Sequence, residues 1–169
     1  MNADRLFEAL EGSGRAIDAL MAGIPAADAR RKPAPGKWSM LEVLCHLIDE
    51  ERDDFRLRVR LTLEDPSRGW PAIDPEGWAR DRDYNQRDPA GMRAEFQRER
   101  AVSLAWLHGL QEPRWERAKV HPQLGLLSAG DLLASWIAHD VLHLRQMAAA
   151  RLTHLEDTVA PYSTRYAQP

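Results

Sequence analysis

His139 and His143 stand four residues apart in Trp136-Ile-Ala-His-Asp-Val-Leu-His-Leu-Arg-Gln146, a stretch apolar around much of a helix circumference. In a helix this spacing sets both imidazoles on one face, with Cβ atoms ~5–6 Å apart. Two ring nitrogens so placed can reach one metal ion, as the paired histidines of His-Glu-x-x-His metalloproteases do. Asp140 replaces the protease glutamate, so that reading lapses. A buried histidine needs a partner for each ring nitrogen, and a metal supplies one. On spacing alone, however, such a pair is more often two unrelated histidines.

A third histidine strengthens the case for a metal. His46 lies in a second apolar stretch, Trp38-Ser-Met-Leu-Glu-Val-Leu-Cys-His-Leu-Ile-Asp-Glu-Glu51. Taken alone, His46 reads as a satisfied core histidine. One stretch donating one histidine and another donating two fit a site built inside a helix bundle. The remaining histidines are weaker candidates: His108 precedes Gly109, His121 precedes Pro122, and His154 lies beyond the last apolar run.

Lys37-Trp38-Ser39, His46-Leu47-x-Asp49-x-Glu51, His121-Pro122 before Leu124-Gly125, and His139-Asp140-x-x-His143-x-x-Gln146 follow one another in that order. Together they resemble the DinB/YfiT-like superfamily over roughly residues 3–153. The resemblance implies an all-α four-helix bundle with long crossover loops and a divalent metal held by His46, His139 and His143. It suggests a homodimer. It leaves the reaction open, since the superfamily includes thiol-dependent transferases and isomerases and many members without assigned activity.

Three neutral imidazoles leave a coordination position open, the arrangement of catalytic zinc. Water in that position becomes a hydroxide source near neutral pH, or a substrate thiol or carbonyl is polarised there. Asp49 and Glu50, three and four residues after His46, are the candidate catalytic residues, either as general base or as a partner orienting a ligand histidine. Glu51 lies about 140° round an ideal helix from His46, and Gln146 could orient a ligand or substrate. Imidazole suits Zn, Ni, Fe and Cu alike; zinc or nickel is expected, and a low-molecular-weight thiol is a candidate second cofactor whose use the sequence leaves open. The function expected is a metal-dependent transferase, isomerase or hydrolase acting on a small molecule. The alternative is a non-catalytic metal-binding bundle or a ligand sensor.

With 169 residues, 44% hydrophobic and 29% charged, the chain is the size and composition of one globular domain spanning residues 1–169. Its net charge of −3 argues against nucleic acid. Its apolar runs are shorter than the ~18 residues that span a bilayer, and its start lacks a signal-type apolar core. The single cysteine, Cys45, excludes an internal disulfide and fits a reducing cytoplasm. It reads as a small buried residue, because adjacent helix positions diverge by about 100° and His46 takes the site face. Arg52, Arg56 and Arg60 form a stripe that Asp49 and Asp53, three residues before two of them, can offset.

Four long helices are expected, near residues 3–22, 40–63, 89–111 and 129–153. Ser39-x-x-Glu42 is a capping box, Asp88-Pro89 an N-cap and first-turn pair, and Ser128-x-x-Asp131 a box with Asp in the usual Glu position. No β signal of useful length is present. The linker 64–88 is long enough to cross the bundle and set the second and third helices parallel. It is expected to wall or lid the metal pocket, with Trp70, Trp78 and Tyr84 as lining, or else to seal the core. Phe7, Val102 and Trp106, outside the main apolar stripe, are candidates for a dimer contact.

Overall fold

The computed structural model describes residues 2–167. Four long helical segments make a bundle: α1 (Ala3–Met21), α3 (Met40–Asp49) continuing into α4 (Arg56–Glu64), α6 (Pro89–His108) and α7 (Ala129–Val159). Short helices α2 (Ala26–Arg30) and α5 (Pro75–Asp81) lie in the connections. Between α3 and α4 the backbone stays helical but widens to π-helical winding over Glu50–Phe55. Such insertions recur at functional sites.

The local chemistry explains where the helices begin. Ser39 Oγ accepts from the Glu42 N–H at 3.1 Å while the Glu42 carboxylate accepts from the Ser39 N–H at 2.7 Å. The Ser128–Asp131 box forms in the same way with the shorter acid. Asp88 caps α6 with Pro89 in the first turn, where a missing N–H costs nothing. The third helix ends at His108 with Gly109 as its cap, short of residue 111. The fourth runs past residue 153 to Val159, since no breaker intervenes before Pro161.

All ten residues of α3 are buried, so this helix is the centre of the molecule. Its neighbours are α6 and α7, while α1 packs on α6 and α7. The helices therefore pack in the order α1, α6, α3–α4, α7, which departs from chain order. Arg52 reaches Glu95 and Glu99 while Arg56 reaches Glu99 and Ser103, so α3–α4 and α6 run parallel. Ser13 meets Asp140 and Leu20 meets Arg151, so α1 and α7 are parallel as well.

Three expectations are corrected. Residues 118–121 and 125–128 pair as an antiparallel hairpin, with Gly125 at positive φ closing a three-residue turn. Two four-residue strands are too short to show a period in sequence. Arg52 and Arg56 pair across to α6, and Asp49 and Asp53 pair with Arg82 instead. Cross-helix partners of this kind are invisible in one-dimensional spacing. Phe7 is buried in the core with Leu10, Leu133 and Trp136, leaving Val102 as the strongly exposed member of the expected contact group.

Candidate metal centre

His46 projects from α3, and His139 and His143 from successive turns of α7. Nε2 of His139 lies 3.2 Å from Nε2 of His46 and 3.1 Å from Nε2 of His143. Ligand nitrogens at ~2.0–2.1 Å from a shared tetrahedral ion stand about 3.3 Å apart, so the spacing suits one cation. Trp38 and Phe55 flank the cluster, their ring centroids 5.0 Å from His46 and 5.2 Å from His139. His139 and His143 open onto a cavity of about 710 Å³ lined also by Lys37, Trp38, Leu142, Arg145 and Gln146.

Burial, followed by mutual repulsion, depresses the proton affinity of this group. His46 falls to about 2 and His139 to about 3, and burial lowers His143 although Gln146 opposes it. The rings are therefore neutral at physiological pH, the form that ligates metals. Protons alone satisfy them poorly. The single in-plane lone pair of His139 Nε2 serves one donor, yet two nitrogens face it. With their Nε2 lone pairs on a shared cation, all three rings become Nδ1–H donors. Gln146 Oε1 is 2.9 Å from His143 Nδ1, ready to accept. Glu50 Oε1 lies 3.6 Å from His46 Nδ1, and both atoms are buried with no hydrogen-bond partner. A carboxylate behind a ligand histidine is the usual outer support of a metal site. The donor set fits a divalent metal.

The sequence profile of the DinB superfamily matches residues 9–147. The chain belongs to the DinB superfamily. A protein of Oceanobacillus iheyensis named as a candidate metal-dependent hydrolase is 29% identical over 116 residues. That match takes in 68% of this chain and 65% of the relative, so the chain spans just under two thirds of its length. Among solved structures, YfiT from Bacillus subtilis, described as a probable metal-dependent hydrolase with an unusual four-helix bundle topology, aligns with TM-score 0.77. It is 19% identical, covering 88% of this chain and 85% of YfiT. A mycothiol-dependent maleylpyruvate isomerase aligns with TM-score 0.71 at 9% identity, covering 87% and 61%. At these identities the two structures show the fold.

In this DinB protein the acidic residues near His46 part company. Glu50 stays beside the His46 ring. The Asp49 carboxylate accepts from the Tyr84 hydroxyl and pairs with Arg82 Nη1 at 2.7 Å, lining a separate cavity with Cys45 and Arg87. Glu51 faces the opposite way, onto Arg100 and Ser103. Burial pushes the Cys45 thiol up to about 12, so it carries no nucleophile at neutral pH.

None of the 64–88 segment lines the histidine cavity. Trp78 packs against the core, Tyr84 is buried on Asp49, and Trp70 donates to Thr62 at 3.2 Å. The segment seals the other side of α3, and its helix α5 is fixed by the Asp74 cap and Pro75. The wall comes instead from the 33–38 loop, whose Lys37 and Trp38 belong to the motif that carried the family resemblance. Arg145 is a lining residue that spacing did not single out, although it lies two residues beyond His143.

Proposed function

We propose that this protein is a metal-dependent enzyme of the DinB type acting on a small molecule, with His46, His139 and His143 holding a divalent cation. The observation that carries the reading is the meeting of three neutral imidazole nitrogens at 3.1–3.2 Å, two of them from the histidines that line an open cavity. A cation bound there supplies Lewis acidity, lowering the pKa of bound water or polarising a carbonyl or thiol. Zinc or nickel is the proposed ion.

The chain's own residues shape the substrate. Trp38, Leu142 and Ala149 give the cavity apolar walls. Lys37 and Arg145 stand at its edge, and among the described lining residues none is acidic. A small molecule with an apolar body and an anionic group suits that lining. Gln146 holds His143 in one orientation, and Glu50 stands 3.6 Å from the His46 Nδ1, placed to accept from it when a cation takes the Nε2 lone pair. Hydrolysis and thiol transfer both suit an open metal position. If a thiol takes part it comes from outside the chain, because Cys45 lines the other cavity.

Metal analysis of the purified protein, followed by a panel of activated esters, amides and thiol–electrophile pairs, tests the reading. Turnover that requires the metal and disappears in His143→Ala is expected. Failure to take up any divalent metal overturns the proposal. Stoichiometric metal with no turnover assigns the ion to a structural or sensing role. The proposed setting is the cytoplasm and the proposed assembly a homodimer, which light scattering checks: a monomer at micromolar concentration overturns it.

A further inference from the structure

Arg100 interrupts the buried stripe of α6, between Phe96 and Ser103, and is itself buried. Its Nη1 donates to Asp140 Oδ2 at 2.8 Å and to the Leu10 carbonyl at 2.5 Å, while Nε donates to Glu51. The second Glu51 oxygen accepts from Ser103 Oγ, and Asp140 accepts from Ser13 Oγ, each at 2.5 Å. Gly14 of α1 lies directly over the guanidinium: a Cβ there would stand 3.1 Å from the Arg100 side chain. One cation thus touches all four helices of the bundle.

Such a cluster is a poor source of stability. Desolvating three charges costs several kcal/mol per ion, and apolar replacements of similar volume are often as stable or more so. Its use therefore lies in geometry. Glu51 is on the helix that carries His46, five residues further on, and Asp140 directly follows His139. The guanidinium presents a rigid planar fork, so holding both carboxylates fixes one distance and one register between them.

We propose that Arg100 is a positioning residue of the metal centre: by clamping Glu51 and Asp140 it sets the helix bearing His46 against the helix bearing His139 and His143. The proposal rests on the metal reading above. A slide of about 1 Å between these helices is enough to take a nitrogen off the shared point.

The test compares wild type, Arg100→Met, Arg100→Lys and the triple variant Glu51→Gln/Arg100→Met/Asp140→Asn. Each is titrated with Zn(II), loaded with Co(II) for absorption spectroscopy, and unfolded thermally without metal. Arg100→Met should bind zinc about 10–100-fold more weakly. It should also unfold at lower temperature, because it strands two buried carboxylates. The triple variant leaves no charge unpaired. It should regain thermal stability while its zinc affinity stays low and its Co(II) bands stay shifted. Arg100→Lys, a point charge that cannot span both acids, should fall between. A folded triple variant with wild-type affinity and spectrum overturns the proposal, as does one that fails to fold, which would assign the cluster to the fold alone. A wild type that takes no metal, like a His143→Ala control, overturns the metal reading itself and the clamp with it.

Discussion

Glu50 stands behind His46: its Oε1 is 3.6 Å from Nδ1, across the imidazole from the Nε2 that meets His139. The neighbouring buried acids have cationic partners, Asp49 in Arg82, Glu51 in Arg100 and Asp54 in Arg58. Glu50 is paired with none of them. Burial and then the nearby Asp54 raise its proton affinity. A positive charge on the far side of the His46 ring would relieve that penalty by making Nδ1–H a stronger donor.

Glu50→Gln should therefore weaken zinc binding by roughly tenfold, measured by competition with a chromophoric chelator. Asp49→Asn should leave it unchanged, because that carboxylate is committed to Tyr84 and Arg82. Equal effects from the two would refute the assignment of Glu50 to His46.

Acid should destabilise the metal-free protein through its histidines. His46 at about 2 and His139 at about 3 lie far below the ordinary value of 6.5. The unfolded chain, with ordinary histidines, binds more protons throughout that interval. The stability these histidines contribute thus falls as pH drops below about 6.5 and is insensitive to pH above it. Glu50, whose proton affinity burial raises, works in the opposite sense over the same range, so the histidine share is read by difference: between urea midpoints at about pH 7.5 and 5.5, His46→Gln should lose less stability than wild type. An unchanged slope would remove His46 from the account.

His143→Ala should abolish metal binding and leave the helical circular dichroism largely intact, as should chelation of the wild type. The bundle has its own apolar core around Leu10, Ile17, Leu44 and Leu133, worth ~25 cal/mol for each Å² buried. A structural metal, by contrast, contributes folding energy outright. Loss of most helicity in either experiment would mean that the ion holds the fold.

Trp136→Ala should cost about 3–5 kcal/mol in denaturant unfolding. Trp136 is fully buried and stacks on Phe55 at 5.9 Å with the rings 7° from parallel. Phe55 in turn touches His139, so this substitution should weaken metal binding too. A loss confined to stability would separate the stack from the site.

Much of this was legible in the chain because helical geometry is local. A spacing of four from His139 to His143 places two rings on one face wherever the helix lies, and the Ser39 and Ser128 boxes mark two starts by side-chain chemistry alone. The pairing of His46 with that face needed the family resemblance, since nothing local joins residues 93 apart. Ideal winding turned Glu51 away from His46, and the structure places it on Arg100. It left Asp49 and Glu50 equivalent; only the surroundings, Tyr84 and Arg82 on one side and a bare ring on the other, separate them. Arg100 had a visible signal, an arginine on the stripe Phe96, Ser103 and Leu107, but its two acids come from distant helices. The hairpin and the wall formed by Lys37 and Trp38 depend on contacts that no periodicity records.

The placement of the three proposed ligands along the chain has a consequence for synthesis. His46 is made early, whereas His139 and His143 arrive on the last long helix, which packs beside the first. A nascent chain that has not released α7 holds one ligand of three and cannot form the centre. In the released but unfolded chain, bringing His46 to His139 closes a loop of 93 residues, a loss on the order of 4 kcal/mol from chain entropy. The finished bundle has already met that loss. An ion therefore discriminates between complete, folded molecules and fragments, and free metal in excess of its dissociation constant biases the chain toward the folded state.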